Sequence, residues 1–196
     1  SREKAAIARR AAELIRPGDL LYLDAGTTML ALARLLAARP AAERVDVVTN
    51  DLAVAAAVGE HPGAQIHVLG GRLDAGNLST DGPTAAAELA GFNIDLAFIS
   101  ASSFDLRGLS VPTEGKAIVK RSIAEHADRC VLVADSSKYG RVSTFKALPL
   151  RAFDAIVTPS GSCAAAVKEQ HERVARGILP AELGVDGRAT AGARQV

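Results

Sequence analysis

Leu20-Leu21-Tyr22-Leu23-Asp24-Ala25-Gly26-Thr27-Thr28 is the stretch that decides the fold. A short, wholly apolar run stops at an acidic residue, small residues turn the chain, and a helical pattern runs from Met29 to Ala38. Such a run, bounded by turn residues and followed by a helix, marks a strand buried on both faces. Upstream, Ala5, Ile7, Ala8, Ala11, Leu14 and Ile15 lay an apolar stripe along a helix from Arg2 to Ile15, which Pro17-Gly18 breaks.

The same unit recurs along the chain. Val45 to Val48 is a strand ending in Thr49-Asn50-Asp51, with a helix from Leu52 to Val58 behind it. Gln65 to Leu69 is a strand ending in Gly70-Gly71. A polar loop leads to a helix from Pro83 to Ala90 and a strand from Leu96 to Ile99. Glu114 to Ala127 is helical, Cys130 to Ala134 is a strand ending in Asp135-Ser136-Ser137-Lys138, Ala155 to Val157 is a strand, and Cys163 to Arg176 is a helix. Short apolar strands alternating with helices predict an α/β, Rossmann-like fold: a mostly parallel, doubly wound sheet with helices on both faces. Residues 1–178 make one domain, and the Pro-, Gly-, Ala- and Arg-rich segment 179–196 is expected to be a flexible tail.

Composition narrows the function. Hydrophobic residues are 48% of the chain and aromatics only 4%, so the core is built from Ala, Val, Leu and Ile. Lys and Arg number 23 against 22 Asp and Glu, a balance that gives this chain no electrostatic footprint for nucleic acid by itself. Cys130 and Cys163 lie far apart and outside metal-ligand spacing, as reduced cysteines of a cytoplasmic protein would. No run of about 18 apolar residues predicts a membrane span. The chain starts at Ser1 and its only methionine is Met29, so it reads as a fragment from which an upstream segment is missing.

In open α/β sheets ligands bind beyond the carboxyl ends of the strands, and the polar residues cluster there. The turn at Gly26-Thr27-Thr28 suits an anion, because Gly26 allows close backbone approach and the amides and hydroxyls that follow face the positive end of a helix. Thr27 is equally compatible with a plain helix cap. Asp24 would repel a phosphate, so it accepts from sugar hydroxyls, pairs with a lysine, or holds the loop through backbone amides. Asn50 and Asp51 contact ligand or cap the next helix. Gly70 and Gly71 give close approach or only a turn. Lys138 follows a strand directly and is placed to reach a phosphate, or lies on the surface. Lys116 and Arg121 read as a solvated basic face, and Ser102 to Thr113 has no assignment. His61, His67, His126 and His171 show no metal spacing, and the chain has no nucleophile elbow, Walker loop or dinucleotide fingerprint.

In order along residues 4 to 158, these segments resemble the C-terminal sensor domain of the DeoR family of bacterial regulators. The resemblance rests on Ala5-Ala6-Ile7-Ala8, Gly18-Asp19, Leu23 to Thr28, Val47-Val48-Thr49-Asn50, Leu69-Gly70-Gly71 and Gly82. It continues through Asp95 to Ile99, Gly108-Leu109-Ser110, Val119-Lys120-Arg121 and Ala134 to Gly140. It implies a fold similar to ribose-5-phosphate isomerase and the coenzyme A transferases. It also implies a phosphorylated sugar or related metabolite as effector, homo-oligomerisation as dimer or tetramer, and operator contact only through a preceding winged helix-turn-helix domain.

The residues expected at the ligand are Asp24, Ala25, Gly26, Thr27, Thr28, Thr49, Asn50, Gly70, Gly71, Glu114, Lys120, Asp135, Ser137 and Lys138; no catalytic residue, metal or cofactor is assigned. The chain departs from the family pattern at Lys116, where relatives often carry an acidic residue, with Glu114 two positions earlier. The rival function is a sugar-phosphate isomerase, whose general base would be a carboxylate such as Asp24, Asp105 or Glu114.

Overall fold

Each strand of the central sheet presents side chains alternately to two helical layers, and two separate apolar clusters form as a result. The computed structural model describes residues 2–159 and 161–162. The chain runs α1 (Arg2–Ala12), β1 (Leu20–Leu23), α2 (Thr27–Ala37), β2 (Val45–Thr49), α3 (Leu52–Val58) and β3 (Ala64–Val68). A hairpin, β4 (Arg72–Asp74) and β5 (Ser79–Asp81), precedes α4 (Pro83–Glu88), β6 (Ile94–Ser100) and a second hairpin, β7 (Ser103–Asp105) and β8 (Gly108–Val111). Then come α5 (Glu114–His126), β9 (Ala127–Val133), β10 (Phe145–Leu148), β11 (Ala155–Thr158) and β12 (Gly161–Ser162).

The main sheet has the order β12-β11-β9-β6-β1-β2-β3. Six strands are parallel, and only β12 pairs antiparallel, on β11. The chain winds outward from β1 through β2 to β3, then returns to the other side of β1 and winds outward through β6, β9 and β11. The topological switch point, where such sheets open a crevice at the strand ends, therefore lies between β1 and β6.

Leu21 and Leu23 of β1, Leu96 and Phe98 of β6, and Val131 and Val133 of β9 join Ile7, Met29, Leu32 and Val54 on the α1–α2–α3 face. The alternate residues Tyr22, Ala97, Ile99, Cys130 and Leu132 join Leu89, Val119 and Ile123 on the α4–α5 face. This period-two split is what the continuous apolar runs of the sequence require. On the second face the hairpin β7–β8 pairs with β10 in a small antiparallel sheet. Gly108 makes that packing possible: its φ is +128°, and a Cβ there would lie 2.2 Å from the Leu148 carbonyl oxygen.

The mostly parallel, doubly wound sheet is as the sequence predicts. The first helix ends at Ala12 rather than Ile15, and the second starts at Thr27 rather than Met29. The polar loop after Gly71 is in fact the hairpin β4–β5, and the unassigned segment from Ser102 to Thr113 contains β7 and β8. The expected helix Cys163–Arg176 and the tail 179–196 lie outside the described residues.

Candidate functional site

Asp24 closes β1 and Ser100 closes β6, so the switch point brings them together. The Asp24 amide continues the ladder to the Phe98 carbonyl at 3.1 Å. Its carboxylate is fully engaged. Oδ1 accepts from the Ala25 amide at 2.8 Å, and Oδ2 accepts from the Ser100 amide at 2.9 Å and the Ser100 hydroxyl at 2.8 Å. Lys120, reaching down from α5, donates to the same Oδ2 and to the Ser100 carbonyl at 3.0 Å. Both side chains are buried. A buried carboxylate and ammonium hold their charges only when paired and hydrogen-bonded, and this pair forms a neutral floor to the crevice.

Above it opens a cavity of about 330 Å³, a size that suits a small metabolite. The first turn of α2 makes one wall. Gly26 is the N-cap, with φ 124° and no side chain to offer the helix, and its own amide donates to Asp51 Oδ2 at 3.0 Å. The first amides of a helix have no intrahelical acceptor, and among the described residues nothing accepts from those of Thr27 and Thr28. Helix-terminal amides of this kind attract anions. Lys138, in the turn after β9, lines the same cavity, and its ammonium has no ion pair or hydrogen bond among the described residues.

Hairpin β4–β5 and α5 build a further part of the wall. Asn77, Ser79 and Asp81 line it from the hairpin, and Lys116 from α5. The Asp81 carboxylate has no partner among the described residues, whereas Lys116 Nζ lies 3.7 Å from Asp74 Oδ2. The hairpin is seated by Asn50, whose side-chain amide donates to the Thr80 carbonyl at 2.7 Å and whose carbonyl accepts from the Tyr22 hydroxyl at 2.8 Å. Burial, with the Asp24 and Asp51 carboxylates adding to it, pushes the Tyr22 phenol well above its ordinary ionisation range. It thus remains a neutral donor.

Of the residues expected at the ligand, Asp24, Ala25, Gly26, Thr27, Thr28, Asn50, Lys120, Asp135 and Lys138 line the cavity. Thr49 does not: it is buried, donates to the Leu23 carbonyl at 2.6 Å and accepts from the Asp51 amide. Gly70 and Gly71 do not line it either: the Gly70 amide donates to Glu88 Oε2 at 2.8 Å, and Gly71 packs beside Thr84 and Ala85. Glu114 is exposed on the first turn of α5, and Ser137 is exposed with its amide and hydroxyl both on Asp135 Oδ1.

The alternatives left open at individual residues also resolve. Thr27 is not the cap of α2, and Asp51 caps α3 through the Ala53 and Val54 amides. Of the two residues read as a solvated basic face, Arg121 is exposed and Lys116 is partly buried. Lys116 borders the cavity, and Arg121 donates to the carbonyls of Lys146 and Ala147, stitching α5 to β10.

Lys4, Asn77, Asp81 and Ser100 line the cavity and were not anticipated. Lys4 had a signal, since it continues the buried stripe of α1 one turn toward the N-terminus. Asn77 and Asp81 had none, because the hairpin that carries them read as a loop. Among the described residues no group of His, Cys, Asp and Glu is arranged to hold a metal ion, and no helix is long and apolar enough to cross a membrane.

A six-stranded parallel sheet wound both ways from a central strand, with a crevice at its switch point, defines a Rossmann-like α/β domain. Residues 1–160 match the DeoR C terminal sensor domain, and the chain belongs to that family. Over 159 residues it is 46% identical to the HTH-type transcriptional regulator YgbI of Escherichia coli (strain K12), the match covering 81% of this chain and 61% of that protein. It is 32% identical over 160 residues to the HTH-type transcriptional repressor GlcR of Bacillus subtilis (strain 168), covering 81% of this chain and 60% of that one. The chain thus spans about three-fifths of the length of these relatives.

Among solved structures, eIF2B beta from Chaetomium thermophilum superposes with a TM-score of 0.59 at 15% identity, covering 87% of this chain and 53% of that one. A D-ribose-5-phosphate isomerase superposes with a TM-score of 0.50 at 18% identity, covering 69% of this chain and 52% of that one. At these identities the likeness is one of fold.

Proposed function

We propose that this chain is the effector-sensing domain of a DeoR-type transcription regulator, a repressor of carbohydrate metabolism that responds to a phosphorylated sugar or related metabolite. The observation that carries this reading is the uncapped first turn of α2, whose Thr27 and Thr28 amides face a cavity that also holds the unpaired ammonium of Lys138. The phosphoryl group sits between them. The hydroxyls of the sugar reach Asp81, Asn77 and Ser79 on the hairpin part of the wall, where a carboxylate without a protein partner is suited to accept from them. The relatives named as HTH-type transcriptional regulator and repressor support the regulatory setting; in this reading operator contact belongs to a helix-turn-helix domain outside this chain, and the protein acts as a cytoplasmic homo-oligomer. An effector that binds the operator-bound and released forms with different affinity shifts their balance, typically by about 1–3 kcal/mol.

The isomerase reading needs a general base beside the substrate carbons. Asp24 is engaged by three hydrogen-bond donors and Lys120, Asp105 is paired with Arg107 on the β7–β8 hairpin, and Glu114 lies away from the cavity. Of the other carboxylates on the cavity wall, Asp135 accepts from the Ser137 amide and hydroxyl, and Asp81 has no partner among the described residues. Thermal-shift screening against sugar and polyol phosphates, with a turnover assay for each ligand found, separates the two readings. A stabilising phosphate that is not converted, and whose shift shrinks in Thr27→Ala and Lys138→Ala, is the expected result. Conversion that disappears in Asp81→Asn would instead establish the isomerase.

A further inference from the structure

Four lysines line the cavity among the described residues, and three of them have tasks. Lys120 is spent on Asp24, Lys4 donates to Thr27 Oγ1 at 2.5 Å and so belongs with the first turn of α2, and Lys138 is assigned to the phosphoryl group. Lys116 is left. It comes from the first turn of α5, in the part of the wall that α5 shares with the β4–β5 hairpin. The backbone fixes it there. The Gly82 amide donates to the Gly115 carbonyl at 3.3 Å, and a Cβ on Gly115 would lie 3.0 Å from Asp81 Oδ1, so this turn is pressed against the end of β5.

Only 25% of the Lys116 side chain is exposed, yet its ammonium makes no hydrogen bond among the described residues. The ion pair with Asp74 Oδ2 spans 3.7 Å, beyond hydrogen-bond reach, and Asp74 is itself 44% exposed. Asp81 lines the same wall without pairing to it. An ammonium has three donors and no acceptor, and a charge drawn out of water is costly until something accepts from it. Sugar hydroxyls do not need this cation. Asp81 accepts from them, and Asn77, whose oxygen is held by the Ser79 amide and hydroxyl, keeps its NH2 to donate to them.

We infer that Lys116 receives a second acidic group of the ligand, a carboxylate, so that the effector is a phosphorylated sugar acid rather than a phosphorylated neutral sugar. This rests on the phosphate reading above. The two acidic groups engage different elements: the phosphoryl group lies on α2 and the turn after β9, and the carboxylate lies on α5 beside the hairpin. A carboxylate suits this place better than a second phosphate. Lys116 stands there as a single cation, its own amide is capped by Thr113 Oγ1 at 3.4 Å, and the Asp74 and Asp81 carboxylates flank it. A group with one negative charge at neutral pH is matched by one ammonium, whereas a phosphate dianion would be repelled by both neighbours.

The test uses the 196-residue chain and calorimetric titration with matched pairs. Erythrose 4-phosphate, ribose 5-phosphate and glucose 6-phosphate are each compared with the phosphorylated acid in which the aldehyde carbon has become a carboxylate. The quantity read is the ratio of affinities within a pair, from which contacts common to both members cancel. For at least one pair the acid is expected to bind about tenfold or more tightly, as charge-assisted hydrogen bonds imply. Lys116→Gln brings that ratio to about one, and Lys116→Arg retains part of it. Lys146→Gln, which removes an exposed positive charge from β10, leaves the ratio as in the wild type. If the phosphates bind but no acid is preferred to its aldose, the inference is overturned and the phosphate reading stands. The same holds for a preference that survives in Lys116→Gln. A chain that binds none of these phosphates overturns the phosphate reading, and the inference with it.

Discussion

Lys120 on α5 and Asp24 at the end of β1 are joined across the floor of the cavity, with only 6% and 5% of their side chains exposed. The pair, with Ser100, locks α5 to the two strands that flank the switch point. Removing one member of a buried pair strands the other's charge, at a cost of about 3–5 kcal/mol. Lys120→Ala should therefore unfold at a much lower urea concentration than the wild type. The double variant Asp24→Asn, Lys120→Met should regain most of the loss, because neither charge remains. If Lys120→Ala and the double variant are equally destabilised, the stranded charge is not the source of the effect.

Lys116 gives the cavity a positive charge on α5, beside the β4–β5 hairpin. It is partly exposed and only loosely paired with Asp74, so Lys116→Glu is expected to change stability by less than about 1 kcal/mol. Its effect on an anionic ligand should be larger, with affinity falling about tenfold or more as the new carboxylate faces both ligand and Asp74. Titration of the two proteins with the same phosphorylated sugar measures the difference, and equal affinity would place Lys116 outside the site.

Gly108 bears on the small antiparallel sheet. Its φ of +128° is unfavourable for any L side chain, and an added methyl group meets the Leu148 backbone. Gly108→Ala should cost about 3 kcal/mol or more, read as a lower denaturation midpoint. Gly26 has a similar φ but nothing within 4 Å of its Cβ position, so Gly26→Ala should cost less.

Alkaline pH tests the buried neutral donors. Burial, and next to it the Asp154 carboxylate, pushes the Cys130 thiol up to about 12, and the Tyr22 phenol is raised by burial in the same way. A group whose ionisation is raised in the folded state holds its proton longer there than in the unfolded chain. Its contribution is complete below the ordinary ionisation range and is lost as pH rises toward the folded value. For Cys130 that window runs from about 9 to about 12. Urea midpoints are expected to be level from pH 7 to 8.5 and to fall above pH 9. The fall should be less steep in Cys130→Ala.

The strand–turn–helix units were legible because a strand buried on both faces must be apolar throughout, as Leu20–Leu23 and Leu96–Ile99 are. The half of the site at strand ends, Asp24 to Thr28 and Asp135 to Lys138, followed from the same pattern. The other half was not legible. Residues 72–81 are polar and carry no two-residue period, and what makes them a hairpin is tertiary: Asn50 bonds Thr80, and Leu52 donates to the Leu78 carbonyl. Thr49 and Gly70 also sit at strand ends, but the backbone turns them into the sheet and toward α4. Sequence position alone does not distinguish such a residue from a cavity-lining one.

In the proposed function the first turn of α2 and Lys138 hold a phosphoryl group. Calorimetric titration of the wild type with the sugar phosphate that gives the largest thermal shift, and with the same sugar lacking its phosphate, tests it most directly. The phosphorylated form should be preferred by at least about a hundredfold, as expected for charged hydrogen bonds from several donors, and the preference should fall about tenfold or more in Lys138→Ala. Equal affinity for the two forms, or an undiminished preference in Lys138→Ala, would contradict it.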